Sequence, residues 1–455
     1  MLFCGIDIGT TNTKAILVDI CGLVVDRMAI GQQPRADMHR IDAQVWYQHF
    51  CEVMEKFCPY FVNESVYVSL TTQGGSFTVL DKNFKAAAPA WVWTGQAKSE
   101  TVNLLESDFG VKGYYTITGW QPLGFLMPCK LREYYESQAN QNKSHRHIVT
   151  TPDYITSQLA QKPVTDVTNA QMTGLFDIQS GVWRKDICEW AHCEVDAMSS
   201  VVSDNKVIFE KIKTPWGKIN LTTSSHDQYA TMEAAGIDNG SAMLGCGTAW
   251  VVNGKSDKPV YDSNAYIVHP GRDLQSGYGF IATLGAVGQV FERLLKKHSI
   301  SYETLGRLEK GFDLKCIPND FIDVQVFDNC PDAAAAILCY MQAIAAQVLF
   351  CMEELGIKNN LHKLIMIGGA ANSSVWPQIL ADVCGIPVET VEFQEFTALG
   401  AALFAKYAAT GDRSGFELLP ISRKLCHPSG KNLYSDWYVN IQRPCLKKAG
   451  MELLS

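Results

Sequence analysis

Apolar residues come in short bursts at the start of the chain. Leu2–Ile8 is an apolar run, Ala15–Ile20 is a second after a polar Gly-Thr turn, and Leu23–Ile30 is a third after the turn at Cys21-Gly22. Runs of this length between tight turns predict three strands in a meander, with no helical crossover among them. The period then changes. In Asp42–Phe57, Val45, Trp46, Phe50, Val53 and Met54 recur at helical spacing, and Val66–Leu70 returns to a buried strand. The opening pattern is echoed far downstream, where Ala242–Gly245 leads through Cys246-Gly247-Thr248 into Ala249–Val252. Two strand, Gly-Thr turn, strand units in one chain predict an internal duplication, each half building its own sheet. The Pro/Gly-containing stretch Thr214–Asn220 is the expected connector, giving domains 1–218 and 219–455. Further on, Ala333–Glu354 reads as a long helix, Leu364–Ile367 as a strand, and Val375–Cys384 and Thr397–Ala408 as helices. Small residues in the last of these permit close packing. The tail after Gly411 shows no period and is expected to be irregular.

One segment passes a membrane test by length: Ala333–Met352 is almost wholly apolar. Gln342 and Gln347 interrupt it, and acids (Asp332, Glu353, Glu354) flank it instead of Lys or Arg, so a buried core helix is expected and no membrane partner. A chain of 455 residues exceeds one ordinary core, in keeping with two domains. The net charge of −8 and the lack of a Lys/Arg cluster argue against a nucleic-acid partner. Fifteen cysteines without any C-x-x-C pair read as reduced, mostly buried thiols. With an N-terminus that lacks a basic, signal-like region, this predicts a cytoplasmic protein. Nothing in the chain argues against a homodimer.

Four polar clusters carry candidate chemistry. In Asp7-Ile8-Gly9-Thr10-Thr11-Asn12-Thr13-Lys14, Gly9 permits a tight turn whose N–H groups form an anion nest. The Thr10 and Thr11 hydroxyls and the Lys14 ammonium add donors for phosphate, and Asp7 at the strand end is placed for Mg²⁺. Gly245-Cys246-Gly247-Thr248 is the second member of the pair. Gly368-Gly369-Ala370-Ala371-Asn372, between a strand and a helix, lets a flat ring lie against backbone near free helix N–H groups. A Rossmann fingerprint is the competing reading, but its third glycine is missing. The fourth cluster, Ser224-Ser225-His226-Asp227-Gln228, offers a carboxylate that could take the proton of an alcohol in phosphoryl transfer, or simply cap a helix.

Together these residues resemble the FGGY family of carbohydrate kinases, of the actin-like ATPase superfamily, along roughly residues 3–410. Asp7–Lys14 is similar to the family's first phosphate loop and Gly247-Thr248 to its second. Thr165-Asp166-Val167-Thr168-Asn169-Ala170, Leu175-Phe176-Asp177-Ile178 and Trp183 resemble a family block, and Gly368–Ser373 with Trp376, Gln378 and Leu380-Ala381-Asp382 resembles the adenosine end. Glu395 with Ala398–Ala402 fits as well. The resemblance implies an α/β fold of two actin-like (ribonuclease H-like) domains, with ATP and a small sugar or polyol meeting in the cleft between them. It implies Asp227 as catalytic base and Asp7 as the carboxylate associated with Mg²⁺. Thr10, Thr11, Asn12, Lys14 and Thr248 would hold phosphates. Gly285 and Gln289 fall where related kinases touch nucleotide, and Gly369, Ala370 and Asn372 would line the adenosine pocket. Gln73, Trp93, Asp227 and Gln228 would meet the sugar, Trp93 competing with a reading as a core tryptophan.

The departures gather at the sugar site. Gln73 is followed by Gly74-Gly75 where a bulky polar pair is usual, the usual Trp-x-Asp-x-Arg becomes Trp93-Thr94-Gly95-Gln96-Ala97, and Phe125 stands where glycerol kinases carry tyrosine. The expectation is a different or bulkier substrate in the space the glycines leave, or weakened catalysis. ATP-dependent phosphorylation of a xylulose-, ribulose-, gluconate- or glycerol-like substrate is therefore expected, with hinge closure assembling the site. The rivals are a nucleotide-dependent switch of the actin kind and a sugar-binding pseudokinase.

Overall fold

The N-terminal meander forms: β1 (Leu2–Ile8), β2 (Asn12–Asp19) and β3 (Val24–Gly31) pair antiparallel in sequence. In the computed structural model, which describes residues 1–32, 39–137, 147–262, 267–313, 332–416, 418–419, 421–430 and 434–449, β4 (Val66–Thr72) runs parallel to β1 on its other side. β5 (Val207–Thr214) and β6 (Gly217–Thr222) extend the sheet as a hairpin, and the two-residue β7 (Ser225–His226) pairs parallel with the end of β4. Alternation decides the faces. Cys4, Ile6 and Ile8 of β1 point to one side, where Trp46, Phe50, Val53 and Met54 of helix Gln44–Phe57 bury them. Against β1, β2 and β4 also packs helix Phe396–Thr410, almost entirely buried and rich in alanine.

A second sheet repeats the pattern. β8 (Ser241–Cys246) and β9 (Trp250–Ser256) form an antiparallel hairpin. Outside β9 lie β11 (Tyr278–Gly285) and then β10 (Val268–Arg272). On the other side β12 (Lys363–Gly368) runs parallel to β8, followed by β13 (Val388–Glu392) and β14 (Ser422–Cys426). A hairpin with a third strand parallel to its first thus occurs in both halves, as the duplicated Gly-Thr pattern implied. Helix Ala333–Glu354 has the expected bounds and an apolar stretch that is 89% buried, so its length reflects a core and not a bilayer.

The chain divides into two compact units, Met1–Ala234 with Pro270–Tyr278 and Glu395–Leu419, and Ala235–His269 with Gly279–Gln394 and Pro420–Ser455. The division therefore falls after Ala234, where the sequence suggested 218/219. Thr214–Asn220 is a hairpin turn running into β6, since the Pro-Trp-Gly signal of a linker is equally that of a tight turn. The tail is also more ordered than expected. β14 is an exposed edge strand, whose polar residues hide its period, and helical turns follow over 435–449.

Candidate active site

In the first unit, the loop joining β1 to β2 is closed by the Gly9 N–H donating to the Asn12 carbonyl at 3.0 Å and by Gln32 Nε2 donating to the Gly9 carbonyl at 2.9 Å. Thr11 and Asn12 are exposed on it. Thr10 turns toward β4: its hydroxyl donates to Gln73 Oε1 and accepts from Trp93 Nε1 at 3.1 Å. Trp93 is 42% exposed, so it belongs to the site surface and not to the core. Its backbone is fixed by Ser76 Oγ, and the buried Lys130 ammonium donates to the neighbouring Val92 carbonyl at 3.0 Å. With Gln73 Oε1 occupied by Thr10, Gln73 Nε2 is left buried without a partner.

The strand register brings the acids together. Lys14, Asp7, Thr71 and Ser225 stand opposite one another on β2, β1, β4 and β7, hence on one face of the sheet. Asp7 Oδ1, Thr71 Oγ1 and Ser225 Oγ are all buried without hydrogen-bond partners. Burial pushes the Asp7 carboxyl up to about 8; the Asp227 carboxylate adds to the rise and the Lys14 ammonium opposes it. Asp227 opens helix Asp227–Ala235, with its Oδ1 at 3.3 Å from His226 Nε2. Gln228 follows it, half-buried.

His226 corrects the expectation about Gly74. A Cβ on Gly74 would lie 2.7 Å from the His226 ring and 2.8 Å from Met172, so that space is already filled by protein. Behind His226 stands Asp166, whose carboxylate accepts from the Thr168 and Asn169 N–H groups, from Asn169 Nδ2 at 2.6 Å and from Ser224 Oγ at 2.8 Å. Thr168 Oγ1 in turn accepts from the His226 N–H at 2.8 Å. Burial raises the Asp166 carboxyl, and these hydrogen bonds oppose the rise. The Thr165–Ala170 block thus fixes the strand Ser225–His226, which ends immediately before Asp227.

In the second unit a cavity of about 660 Å³ is lined by Thr248, Gln289, Gly369, Ala370 and Asn372, together with Trp250, Phe291 and Trp376. Gly285 is not in the lining; it ends β11 at a φ of 90° and lets the chain turn into helix Val287–Lys297. That helix begins against the Gly247-Thr248 turn, because a Cβ on Gly288 would lie 2.1 Å from the Gly247 carbonyl oxygen. Gln289 N–H donates to the Thr248 carbonyl at 3.1 Å. The sequence placed Trp376 with the adenosine end but did not single out its aromatic neighbours, Trp250 at 4.9 Å and Phe291 at 5.8 Å, because they join it only through distant packing.

A hairpin-plus-strand sheet repeated in both units, a Gly-Thr turn in each, and the carboxylates of Asp7 and Asp227 near one another in the first are the features of a phosphoryl-transferring class of enzyme. The chain belongs to the FGGY family of carbohydrate kinases: the family's N-terminal domain matches residues 2–232 and its C-terminal domain residues 317–409. It is accordingly an enzyme that transfers a phosphoryl group from ATP to a hydroxyl of a sugar or polyol. It is 21% identical over 436 residues to a xylulose kinase of Staphylococcus xylosus, across 88% of this chain and 89% of that protein. Among solved structures it is similar to a xylulose kinase from Lactobacillus acidophilus (TM-score 0.84, 18% identity, 98% of each chain) and to a gluconate kinase from the same organism (TM-score 0.84, 17% identity, 99% of this chain and 98% of that one). These likenesses show the two-domain actin-like fold.

Proposed function

We propose that the acceptor is an uncharged small sugar or polyol, of the xylulose, ribulose or glycerol kind, and that Asp227 takes the proton of its reacting hydroxyl. The observation that carries this reading is the first unit's cluster, in which Asp227 and Gln73 directly follow the paired His226 and Thr72, and the buried Gln73 Nε2 lacks a protein partner and so offers a donor to a sugar oxygen. No Arg or Lys follows Gln73, and Trp93 leads into Thr94-Gly95 without the usual acid and base, which disfavours an anionic aldonate such as gluconate. Trp93 gives an exposed ring on which an apolar sugar face can rest, and Gln228 is assigned a hydroxyl contact.

The nucleotide is assigned to the second unit's cavity, with the adenosine against Gly369, Ala370 and Asn372 and the phosphates toward Thr248. Thr10, Thr11, Asn12 and Lys14 are the phosphate contacts assigned to the first unit. The chemistry asks for positioning and charge neutralisation more than for covalent help. Mg²⁺ fits the first unit, because Asp7 has a buried oxygen without a hydrogen-bond partner and a second carboxylate, Asp227, whose effect the Lys14 ammonium offsets only in part. Among the described residues no group of three or more His, Cys, Asp or Glu could form a protein-only cage, which suits an ion that keeps its waters and takes phosphate oxygens. When bound, Mg²⁺ would neutralise charge on the transferring phosphoryl group. We place the enzyme in the cytoplasm, on its cysteine content.

The test is ATP turnover over a panel of ketopentoses, deoxysugars, aldonates and polyols. Sugar-dependent ADP release is expected for a neutral member, and Asp227→Ala should reduce it by about 10²-fold or more, the scale of general-base catalysis. Undiminished transfer by the variant rejects the assigned base; a preference for aldonates rejects the substrate class.

A further inference from the structure

The second unit's cavity has a carboxylate built into its wall. Glu309, only 5% exposed, follows helix Tyr302–Leu308, which supplies one side of the cavity through Tyr302, Leu305 and Gly306. Its Oε1 accepts from Ser373 Oγ at 2.6 Å, and its Oε2 accepts from the Ser374 N–H at 3.0 Å and from Ser374 Oγ at 2.9 Å. Ser373 closes the Gly369–Asn372 turn, its N–H donating to the Ala370 carbonyl at 3.1 Å. The same Ser373 Oγ accepts from the N–H groups of Val375 at 3.2 Å and Trp376 at 3.0 Å, and so pins the chain where helix Trp376–Cys384 begins. One carboxylate therefore ties the helix wall to the glycine turn and to the start of the opposite helix.

We propose that Glu309 is a positioning residue for nucleotide, holding two walls of this cavity at the separation the nucleoside needs. The physical argument is preorganisation. Three hydrogen bonds to a carboxylate fix a turn of small residues, none of them fully buried, so the ordering cost is met before the ligand arrives. Neither Ser373 nor Ser374 has another carboxylate partner among the described residues, and the replacement of Glu309 by alanine leaves Ser374 N–H and two hydroxyls to water.

The inference rests on the assignment of nucleotide to this cavity, and the experiment separates the two. ADP binding is measured by calorimetry on the full chain for the parent, Ala370→Trp, Glu309→Ala and Glu309→Gln. Ala370→Trp fills the cavity and should abolish ADP binding; unchanged binding overturns the cavity assignment itself. With that assignment standing, Glu309→Ala should weaken ADP at least about tenfold, the scale of one charge-assisted hydrogen bond, and Glu309→Gln, which keeps the volume and one acceptor, should fall between. A merely structural role would lower the melting temperature and leave ADP affinity of the folded protein, measured at low temperature, where it was; that result overturns the proposal. If Glu309→Ala gives no cooperative thermal transition, Ser374→Ala, which removes one of the three bonds, replaces it, with a several-fold loss expected and equal affinity again overturning the proposal.

Discussion

Asp7 stands in an environment that penalises its own charge. Its folded value of about 8 lies above the ordinary 3.8, so between those values the native state binds more protons than the unfolded one, and stability falls as pH rises through that window. Asp7→Asn removes the penalty. In EDTA the variant should melt higher than the parent, by more at pH 8 than at pH 5, while losing turnover; a gap that does not widen with pH, read by scanning calorimetry, contradicts the burial argument. Gly74 makes the opposite case. Gly74→Ala drives a methyl into His226 and Met172 and should cost about 1–3 kcal/mol, seen as a lower denaturant midpoint, with sugar-dependent turnover reduced through the displaced His226 beside Asp227. An alanine variant of parental stability would mean that the ring moves freely.

At the level of elements, the short strand β7 is held more by side chains than by its own ladder. It has two residues, and its position depends on Asp166, Thr168 and Ser224. Asp166→Ala should therefore cost about 3 kcal/mol or more, because it strands several buried donors, and should lower turnover with Asp227 untouched. Asp166→Asn should lose less, and equal losses in the two variants would argue that the cavity, not the hydrogen bonding, matters. The strands and long helices were legible in the sequence because their burial is one-sided or complete, which writes a period of two or an apolar run into the chain. Asp7 and Thr10 were singled out for another reason, as polar residues close to Gly9 at a strand end, whereas Asp227 read as easily as a helix cap and stood out only through the family resemblance. What stayed hidden was mutual placement. That Trp93 reaches Thr10, that His226 fills the space beside Gly74, and that Glu309 holds Ser373 and Ser374 depend on strand register and distant packing, which no local pattern encodes. The Thr214–Asn220 connector and the tail misled because a turn and a linker share the same residues, and because an exposed edge strand shows no alternation.

For the molecule as a whole, the first unit is discontinuous. Helix Phe396–Thr410 packs on β1, β2 and β4, although the chain builds most of another unit before reaching it. A fragment of residues 1–234 should therefore expose the sheet face this helix covers, bind a hydrophobic dye and lack a sharp thermal transition. Supplying residues 395–419 by a flexible fusion should restore one, and a cooperative fragment without them would refute the packing argument. The order of synthesis gives this arrangement a further meaning. At about 5–20 residues per second, the ribosome emits the first strands roughly 20 seconds or more before the helix that completes them. Throughout that interval the nascent sheet carries an uncovered apolar flank, which makes it a natural client for a chaperone that binds chains still being translated.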